Sequence, residues 1–252
     1  MKKLIYAAAI ALAALASCNK PTTVKMMSYN IHNGIGLDEV TDYARIGELI
    51  KQYAPDVVAI QEIDSATTRS EGKYVLGEIA KVAEMKDYYA PAINFRGGKY
   101  GIGLLCKEEP IAIEQHALPG REEQRALIIA EFPEYVFACT HLSLTEADRE
   151  ASIEIISDLA KEYDKPFFIA GDFNAEHDSH FIEEFTKKFI PLTDTTGKYP
   201  TFPADTPNVV IDYIMQQIPA GNHYTISSIN PEVINETVMS DHRPIIVTTE
   251  IN

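Results

Sequence analysis

The chain of 252 residues contains no tryptophan and only three cysteines. Three cysteines are too few for a small fold held together by disulfide bonds. Basic residues are also scarce, because 22 lysines and arginines stand against 37 aspartates and glutamates and leave a net charge of −15. A protein dedicated to duplex DNA normally carries a basic surface, so the charge argues against that class. With 46% hydrophobic residues, 13 glycines and 14 prolines, the composition is that of a globular protein.

The N-terminal residues are typical of an export signal. Lys2 and Lys3 precede an uncharged apolar stretch at 4–16, which is too short to span a bilayer. Residues 15–18 read L-A-S-C and resemble a bacterial lipobox, in which Cys18 becomes the lipid-modified first residue of the mature protein. We therefore expect a signal peptide at 1–17, a short tether at 18–23 and an exported lipoprotein facing the periplasm or the cell exterior. The alternative is an ordinary secretory signal that contains a cysteine.

Residues 24–252 show no internal repeat, low-complexity run or flexible linker, so we expect one domain. Hydrophobic periodicity predicts helices and strands that alternate at both ends of this domain, with consecutive strands between them. This mixture predicts an α/β sandwich of two sheets with helices outside. The predicted helices are 43–53, 74–85, 145–163 and 181–189. The predicted strands are 24–30, 57–62, 100–107, 111–117, 125–132, 135–141, 167–170, 209–215, 224–229 and 245–250.

Carboxylate, amide and imidazole side chains lie at the ends of several predicted strands. Each such segment alone is weak, since a short polar motif is more often a surface turn. Together they indicate a site, because burying many ionisable groups is costly unless they bind a cation, pair with one another or take part in chemistry. The segments are S-Y-N-I-H at 28–32, Q-E at 61–62, T-H-L at 140–142, G-D-F-N at 171–174, I-D-Y-I at 211–214 and S-D-H-R-P at 240–244.

As a set, and in this order, these segments resemble the endonuclease/exonuclease/phosphatase superfamily of metal-dependent phosphoesterases. The resemblance covers residues 24–251 and implies a DNase I-like, four-layer α/β/β/α sandwich with the site at one rim of the paired sheets. Residues 62–70 and 201–207 further resemble a bacterial branch of metal-dependent hydrolases near the sphingomyelinase-like proteins. The resemblance implies a phosphoester substrate.

By the resemblance, Glu62 is the principal metal ligand, helped by Asn30 and, directly or through water, by Asp241. These are hard oxygen donors, which suit Mg²⁺ or Mn²⁺, and the absence of thiolates makes zinc a poorer fit.

The resemblance also implies the catalytic roles. His242 would be the general base, with Asp212 holding its other nitrogen. His141 would donate to a phosphate oxygen or assist the leaving group, and Asp172 and Asn174 would position the nucleophile and the phosphoryl group. Arg125 would contact the phosphate.

Several other residues are interpreted as structural. His32 is expected to point to the face of its strand opposite Asn30. His177 and His180 are interpreted as loop residues rather than a second metal site. Cys106 and Cys139 are most simply buried apolar groups, with a disulfide as the alternative in an oxidising compartment.

The substrate is less well specified, because one fold serves many phosphoesters. The acidic composition favours a small molecule or headgroup over duplex DNA, and the absence of tryptophan disfavours an aromatic membrane-inserting hairpin. We expect a monomeric phosphodiesterase that meets the membrane only through its lipid anchor, and no protein partner is inferred. The alternatives are an extracytoplasmic nuclease of the DNase I type and a non-catalytic binding lipoprotein on the same fold.

Overall fold

The computed structural model describes residues 21–218 and 224–252, so the predicted signal peptide and Cys18 lie outside the described residues. The described chain forms two six-stranded mixed sheets and four α-helices of seven or more residues. The helices are α1 (Tyr43–Tyr53), α2 (Val75–Ala83), α3 (Glu146–Ala160) and α4 (His180–Thr186), with a 3-10 helix at His32–Gly34. The strands are β1 (Thr22–Asn30), β2 (Val57–Ser65), β3 (Lys86–Phe95), β4 (Gly98–Cys106), β5 (Ala112–Leu118), β6 (Arg125–Glu131), β7 (Val136–His141), β8 (Phe167–Asp172), β9 (Phe189–Pro191), β10 (Asp212–Gln217), β11 (Ile226–Val233) and β12 (Ile245–Ile251).

The two sheets have similar arrangements. The first has the order β11-β12-β1-β2-β4-β3 and the second the order β5-β6-β7-β8-β10-β9. In each sheet one central pair is parallel, β1 with β2 and β7 with β8, while the other pairs are antiparallel. The two strands of each parallel pair end at the same edge of their sheet. The two edges lie together in the sandwich, because Asn30 at the end of β1 contacts Asp172 at the end of β8.

Three apolar clusters define the layers. The cluster between the sheets includes Met26, Ile128 and Phe168. A second cluster lies between the first sheet and helices α1 and α2, and a third between the second sheet and helices α3 and α4. The layer order is therefore helix, sheet, sheet, helix, and the predicted α/β/β/α sandwich is confirmed.

The elements differ from the sequence prediction at several points. Strand β3 was not predicted as an element, because Pro91 interrupts its pattern and most of its residues are only half-buried, as suits an edge strand. The helix predicted at 181–189 ends at Thr186, and Phe189 begins the short strand β9. Asp212 begins β10 rather than lying within a strand that starts at 209.

The N-terminus of α3 is not capped by the side chain of its N-cap residue. Thr145 and Asp148 have the spacing of a capping box, but the Thr145 side chain makes no capping bond. Its hydroxyl instead donates to Glu122, and Asp148 accepts from Arg121 and Ser143. No helix in the described part of the chain is long and apolar enough to cross a membrane.

Candidate active site

The predicted polar segments meet at the edge where the parallel strands end. Asn30, His141 and Asp172 are the last residues of β1, β7 and β8. Asp212 reaches the same edge from the opposite direction, because β10 is antiparallel to β8 and pairs Asp212 with Asp172. The loop that carries His242 precedes β12, whose strand is antiparallel to β1.

A β-bulge places Glu62 at this edge. Between Ile60 and Ile63 strand β2 advances three residues while β4 advances two. Both isoleucines consequently face the helices on the outer side of the sheet, although regular alternation would put them on opposite faces. Gln61 and Glu62 together lie opposite the single residue Ile102 of β4, and Glu62 has a φ of +62°. Its side chain projects to the rim, where Oε1 accepts a hydrogen bond from Nδ2 of Asn30 at 3.2 Å.

The turn after β8 depends on glycine and asparagine. A Cβ at Gly171 would lie 2.0 Å from the Thr140 carbonyl oxygen, so only glycine permits this close approach to β7. Asn174 has a φ of +49°, and its backbone N–H donates to Oδ1 of Asp172. Its Nδ2 donates to the Leu142 carbonyl at 2.9 Å, which ties the turn to the loop after His141.

Asp172 is the centre of the site. Its Oδ2 accepts from Nδ2 of Asn30 at 3.0 Å and lies 3.5 Å from Nε2 of His141 and 3.6 Å from Nε2 of His242. The carboxylate is 2% exposed. It therefore faces two imidazoles that come from different sheets.

His242 is held on both sides. Its Nδ1 lies 2.9 Å from Oδ2 of buried Asp212, and the Phe202 ring packs against the imidazole at a centroid distance of 4.8 Å. Ser240 supports the loop, because its hydroxyl donates to the Asn30 carbonyl at 2.7 Å and accepts from the His242 N–H. Ser240 and Phe202 lie in sequence segments that were singled out, but their own contributions were not predicted.

The surroundings shift the pKa values of the two imidazoles in opposite directions. Burial lowers the pKa of His141 to about 4, against the opposing charge of Asp172. Burial also lowers the pKa of His242, but the charges of Asp212 and Asp172 outweigh it and raise that pKa to about 10. Burial raises the pKa of Asp172, and the two imidazoles oppose this shift. At neutral pH, without further charges, His141 is therefore neutral and His242 is protonated.

Two groups of side chains at the rim have the chemistry of a metal site. The side chains of Asp172, Asp212 and His242 offer ligand atoms that all lie within 4.8 Å of one another. The other group is the predicted set of Glu62, Asn30 and Asp241. In this arrangement Asn30 faces the carboxylates with its N–H, while its Oδ1 accepts from the His32 N–H at 3.1 Å. The amide oxygen of Asn30 has to turn inward before it can bind a cation.

Arg125 lies at the margin of the site. Its side chain is 7% exposed, forms ion pairs with Glu122 and Glu123, and lines a small recess beside Tyr100 and His141. Its Nε is buried with no hydrogen-bond partner among the residues described. The guanidinium is thus near the predicted catalytic groups but largely engaged by carboxylates.

Glu122 was not predicted to matter, because an acidic residue in a turn gives no signal in the sequence. Its carboxylate accepts from the Ser143 hydroxyl at 2.6 Å, the Leu144 N–H and the Thr145 hydroxyl. These bonds hold the loop that follows His141.

The residues interpreted as structural also have definite places. His32 follows the end of β1 rather than continuing its alternation, and its Nδ1 lies 4.0 Å from Asp241, so the expected opposite orientation is wrong. Within residues 21–218 and 224–252, His177 and His180 join no metal-like cluster. Cys106 and Cys139 are free, buried thiols, so the disulfide alternative does not apply.

Comparison with known proteins agrees with this fold. The sequence model of the Endonuclease/Exonuclease/phosphatase family matches residues 27–242. No curated protein sequence matches the chain. Among solved structures, an endonuclease/exonuclease/phosphatase from Beutenbergia cavernae DSM 12333 has a TM-score of 0.76 and 19% identity, covering 91% of this chain and 72% of that one.

Two further similar structures have more specific descriptions. A mannosyl-6-phosphatase from Bacteroides thetaiotaomicron VPI-5482 has a TM-score of 0.67 and 15% identity, covering 91% of this chain and 99% of that one. D. rerio TDP2, in complex with a single-strand DNA product, has a TM-score of 0.70 and 19% identity, covering 90% of this chain and 99% of that one. At these identities the likeness shows the fold.

The sandwich gathers two histidines and several carboxylates at one rim, and the family whose sequence model matches includes nucleases and phosphatases that act on phosphoesters. The chain belongs to the endonuclease/exonuclease/phosphatase family. The narrower resemblance to the sphingomyelinase-like branch is not confirmed by these comparisons.

Proposed function

We propose that the protein hydrolyses a phosphoester with the help of a divalent metal ion, by direct attack of water on phosphorus. The observation that supports this most is the contact of Asp172 with both His141 and His242, the second of which is backed by Asp212. Groups that can take up and deliver protons are thereby fixed around one anionic centre. Such an arrangement suits phosphoryl transfer, which depends on positioning and charge.

The metal in this proposal is Mg²⁺ or Mn²⁺, held by Glu62 and Asn30 and by Asp241 directly or through water. The donors fit such an ion because they are hard oxygen ligands. They also lie next to Asp172, a buried carboxylate that accepts a hydrogen bond from the same Asn30 amide as Glu62. When bound, the cation supplies positive charge that neutralises phosphate oxygens and opposes protonation of the nearby imidazole.

The protein side chains then divide the proton transfers. His242 accepts a proton from the attacking water while the oxygen of that water bonds to phosphorus and the bond to the leaving oxygen breaks. Asp212 acts through His242 by fixing the ring and stabilising its charged form. His141 is neutral and still carries one N–H, with which it donates to a phosphate oxygen. Asp172 and Asn174 position the water and the phosphoryl group, and Arg125 contacts the phosphate.

The proposed substrate is a small phosphodiester or headgroup rather than duplex DNA. A net charge of −15 repels a polyanion unless basic groups are concentrated locally. The names of the two described neighbours include a DNA-bound protein and a sugar phosphatase, so a nuclease and a phosphomonoesterase are the alternatives to be tested. A non-catalytic binding protein is the third.

The test is hydrolysis of bis(p-nitrophenyl) phosphate with Mg²⁺ or Mn²⁺, with and without chelator. We expect metal-dependent release of p-nitrophenol that is lost in Glu62→Gln and retained in Glu78→Gln, the same substitution at an exposed position on α2. A panel of sugar phosphates, headgroup diesters and single- and double-stranded DNA then separates the three classes. Absence of metal-dependent hydrolysis across the whole panel would favour the binding protein.

We further propose that the protein is an exported lipoprotein. The support is the sequence of the first eighteen residues, with Cys18 as the site of lipid attachment.

A further inference from the structure

The β3–β4 hairpin stands beside the proposed metal site. Strand β2 continues past Glu62 and pairs Asp64 with Tyr100 and Ser65 with Lys99. The tip packs tightly on β2, because a Cβ at Gly98 would lie 2.2 Å from the Ser65 carbonyl oxygen. At about 3.3 Å per residue, the level of Tyr100 is about 7 Å from Glu62 along the strand. The hairpin therefore forms one wall of the rim.

Arg69 lies against this wall with one part of its guanidinium unused. Its Nε and Nη2 donate to the two oxygens of buried Asp64, each at 2.8 Å, and Nη2 also donates to Asn33. Nη1 has no hydrogen-bond partner among residues 21–218 and 224–252, and the side chain is 24% exposed. The ion pair with Asp64 holds the turn, while Nη1 remains available to an anion.

Arg96 brings a second guanidinium to the same place. The Cζ atoms of Arg69 and Arg96 lie 4.8 Å and 5.2 Å from the centroid of the Phe95 ring. Arg96 is exposed and forms no ion pair with any residue that the structure describes. No carboxylate of the described residues therefore neutralises its charge directly.

The charges around these arginines link them to the site. Asp64, to which Arg69 donates, lies two residues beyond Glu62 on β2, so this arginine is anchored close to the proposed metal ligand. Glu62 and half-buried Glu123 are the nearby carboxylates that would oppose an anion, and Arg125 pairs with Glu123 at 3.2 Å. Arginine binds phosphate well because its planar fork matches the phosphate oxygens.

We propose that Arg69 and Arg96, whose guanidinium groups both lie against the Phe95 ring, form a subsite for a second phosphate group on the substrate. This proposal rests on the proposed function and narrows it to phosphoesters that carry another phosphate about one sugar or polyol away from the reacting phosphorus. We call this the Arg69/Arg96 subsite. It provides local positive charge on a chain whose overall charge repels anions.

The first experiment compares two chromogenic substrates that differ by one phosphate. They are the p-nitrophenyl ester of thymidine 5′-monophosphate and its analogue with a 3′-phosphate. We expect kcat/KM to favour the analogue roughly tenfold or more, the size of one charge-assisted contact. Arg96→Gln should reduce that preference to about threefold or less. Lys99→Gln should keep it, because Lys99 lies on the same hairpin but its Nζ already donates to Asn94.

A second variant preserves the fold at Arg69. Removing its charge would leave Asp64 buried and unpaired, so Arg69→Lys is the suitable change. Lysine keeps a positive charge beside Asp64 but has no counterpart of the free Nη1 group. We therefore expect the preference for the extra phosphate to fall as it does in Arg96→Gln.

The second experiment separates the subsite from catalysis. Binding of thymidine 3′,5′-bisphosphate and thymidine 5′-monophosphate to the full protein is measured by calorimetry in the presence of chelator. Tighter binding of the bisphosphate that Arg96→Gln abolishes supports the subsite even if no ester is hydrolysed, in which case the proposed function alone fails. The subsite is overturned if the extra phosphate changes neither kcat/KM nor binding in the wild-type protein. It is also overturned if Arg96→Gln and Lys99→Gln have the same preference for the extra phosphate.

Discussion

Asp212 and His242 form a buried pair in which Oδ2 and Nδ1 are 2.9 Å apart, while the opposite nitrogen of the ring faces Asp172 at 3.6 Å. The pair comes from the start of β10 and from the loop before β12, so two different sheets contribute to it. A charged ring held by one carboxylate and directed at another cannot turn freely. The orientation of His242 therefore depends on Asp212.

This dependence predicts the kinetics of a double mutant. His242→Ala should lower kcat by about 10²- to 10⁴-fold. Asp212→Asn should also be strongly impaired, since it removes the charge that orients the ring. The double variant should be no slower than His242→Ala, because Asp212 then has nothing to orient. Steady-state rates on bis(p-nitrophenyl) phosphate measure this, and multiplicative losses would assign the two residues independent roles.

The two candidate metal positions make different predictions. If Glu62 is the principal ligand, Glu62→Gln should weaken Mn²⁺ binding by roughly tenfold or more, whereas Asp212→Asn should change it by less than about threefold. Calorimetric titration of the wild-type protein and both variants with Mn²⁺ measures binding independently of turnover. The reverse order of effects would place the ion among Asp172, Asp212 and His242.

The turn at Asn174 allows its backbone and side-chain contributions to be separated. Asn174→Gly keeps the left-handed backbone but removes the amide that holds Leu142, whereas Asn174→Ala loses both. We expect both variants to lose activity, and the alanine variant to be less stable than the glycine variant by about 1 kcal/mol. Urea unfolding and kcat are the measurements. Full activity in Asn174→Gly would show that the amide does not contribute to the site.

The hydrogen bonds of Glu122 predict that the free energy of unfolding depends on pH. Burial would raise its pKa, but hydrogen bonds from Ser143, Leu144 and Thr145 lower it to about 2 from an ordinary value of 4.5. Its contribution is therefore complete above pH 4.5 and is lost as the pH falls towards 2. Glu122→Gln should lower the free energy of unfolding by about 1–2 kcal/mol at pH 6 and by less at pH 3. Glu78→Gln is the control, and a pH-independent difference would contradict the assignment.

The proposed anchor at Cys18 predicts how the precursor is processed. The wild-type precursor should be cleaved before Cys18 and should partition into detergent, because the acyl chains supply its apolar anchor. Cys18→Ser should lose the lipid mass and should be processed differently or not at all. Mass spectrometry of the mature N-terminus measures both, and an unlipidated N-terminus at another residue in the wild-type protein would reject the proposal.

Much of the fold and the membership of the rim was predictable from sequence, for an identifiable reason. Polar residues such as Asn30 and Asp172 directly follow apolar strands, and parallel strands carry their ends to the same edge. Asp212 was predicted at the rim through the family resemblance, and the structure brings it there as the first residue of an antiparallel strand. The functional roles of these residues stay predictions.

Other features depend on tertiary contacts that no local pattern contains. Thr145 and Asp148 have the spacing of a capping box, yet Arg121 and Glu122 bind their side chains instead. Arg96 is an ordinary exposed residue in the sequence, and only the hairpin brings it to the same ring as Arg69. The expected orientation of His32 was wrong because residues two apart on a strand share a face, and β1 ends at Asn30 in any case.

The bulge at Glu62 lets β2 keep its apolar packing while one extra residue reaches the proposed metal site. Ile60 and Ile63 keep a common face only because an additional residue is accommodated between them, and Gln61 remains between the sheets, where its Nε2 contacts Cys139. Deleting Glu62 would close the strand into an uninterrupted ladder with every apolar side chain still in place. A variant that lacks this one residue would therefore keep a well-packed sandwich but lose its proposed metal ligand.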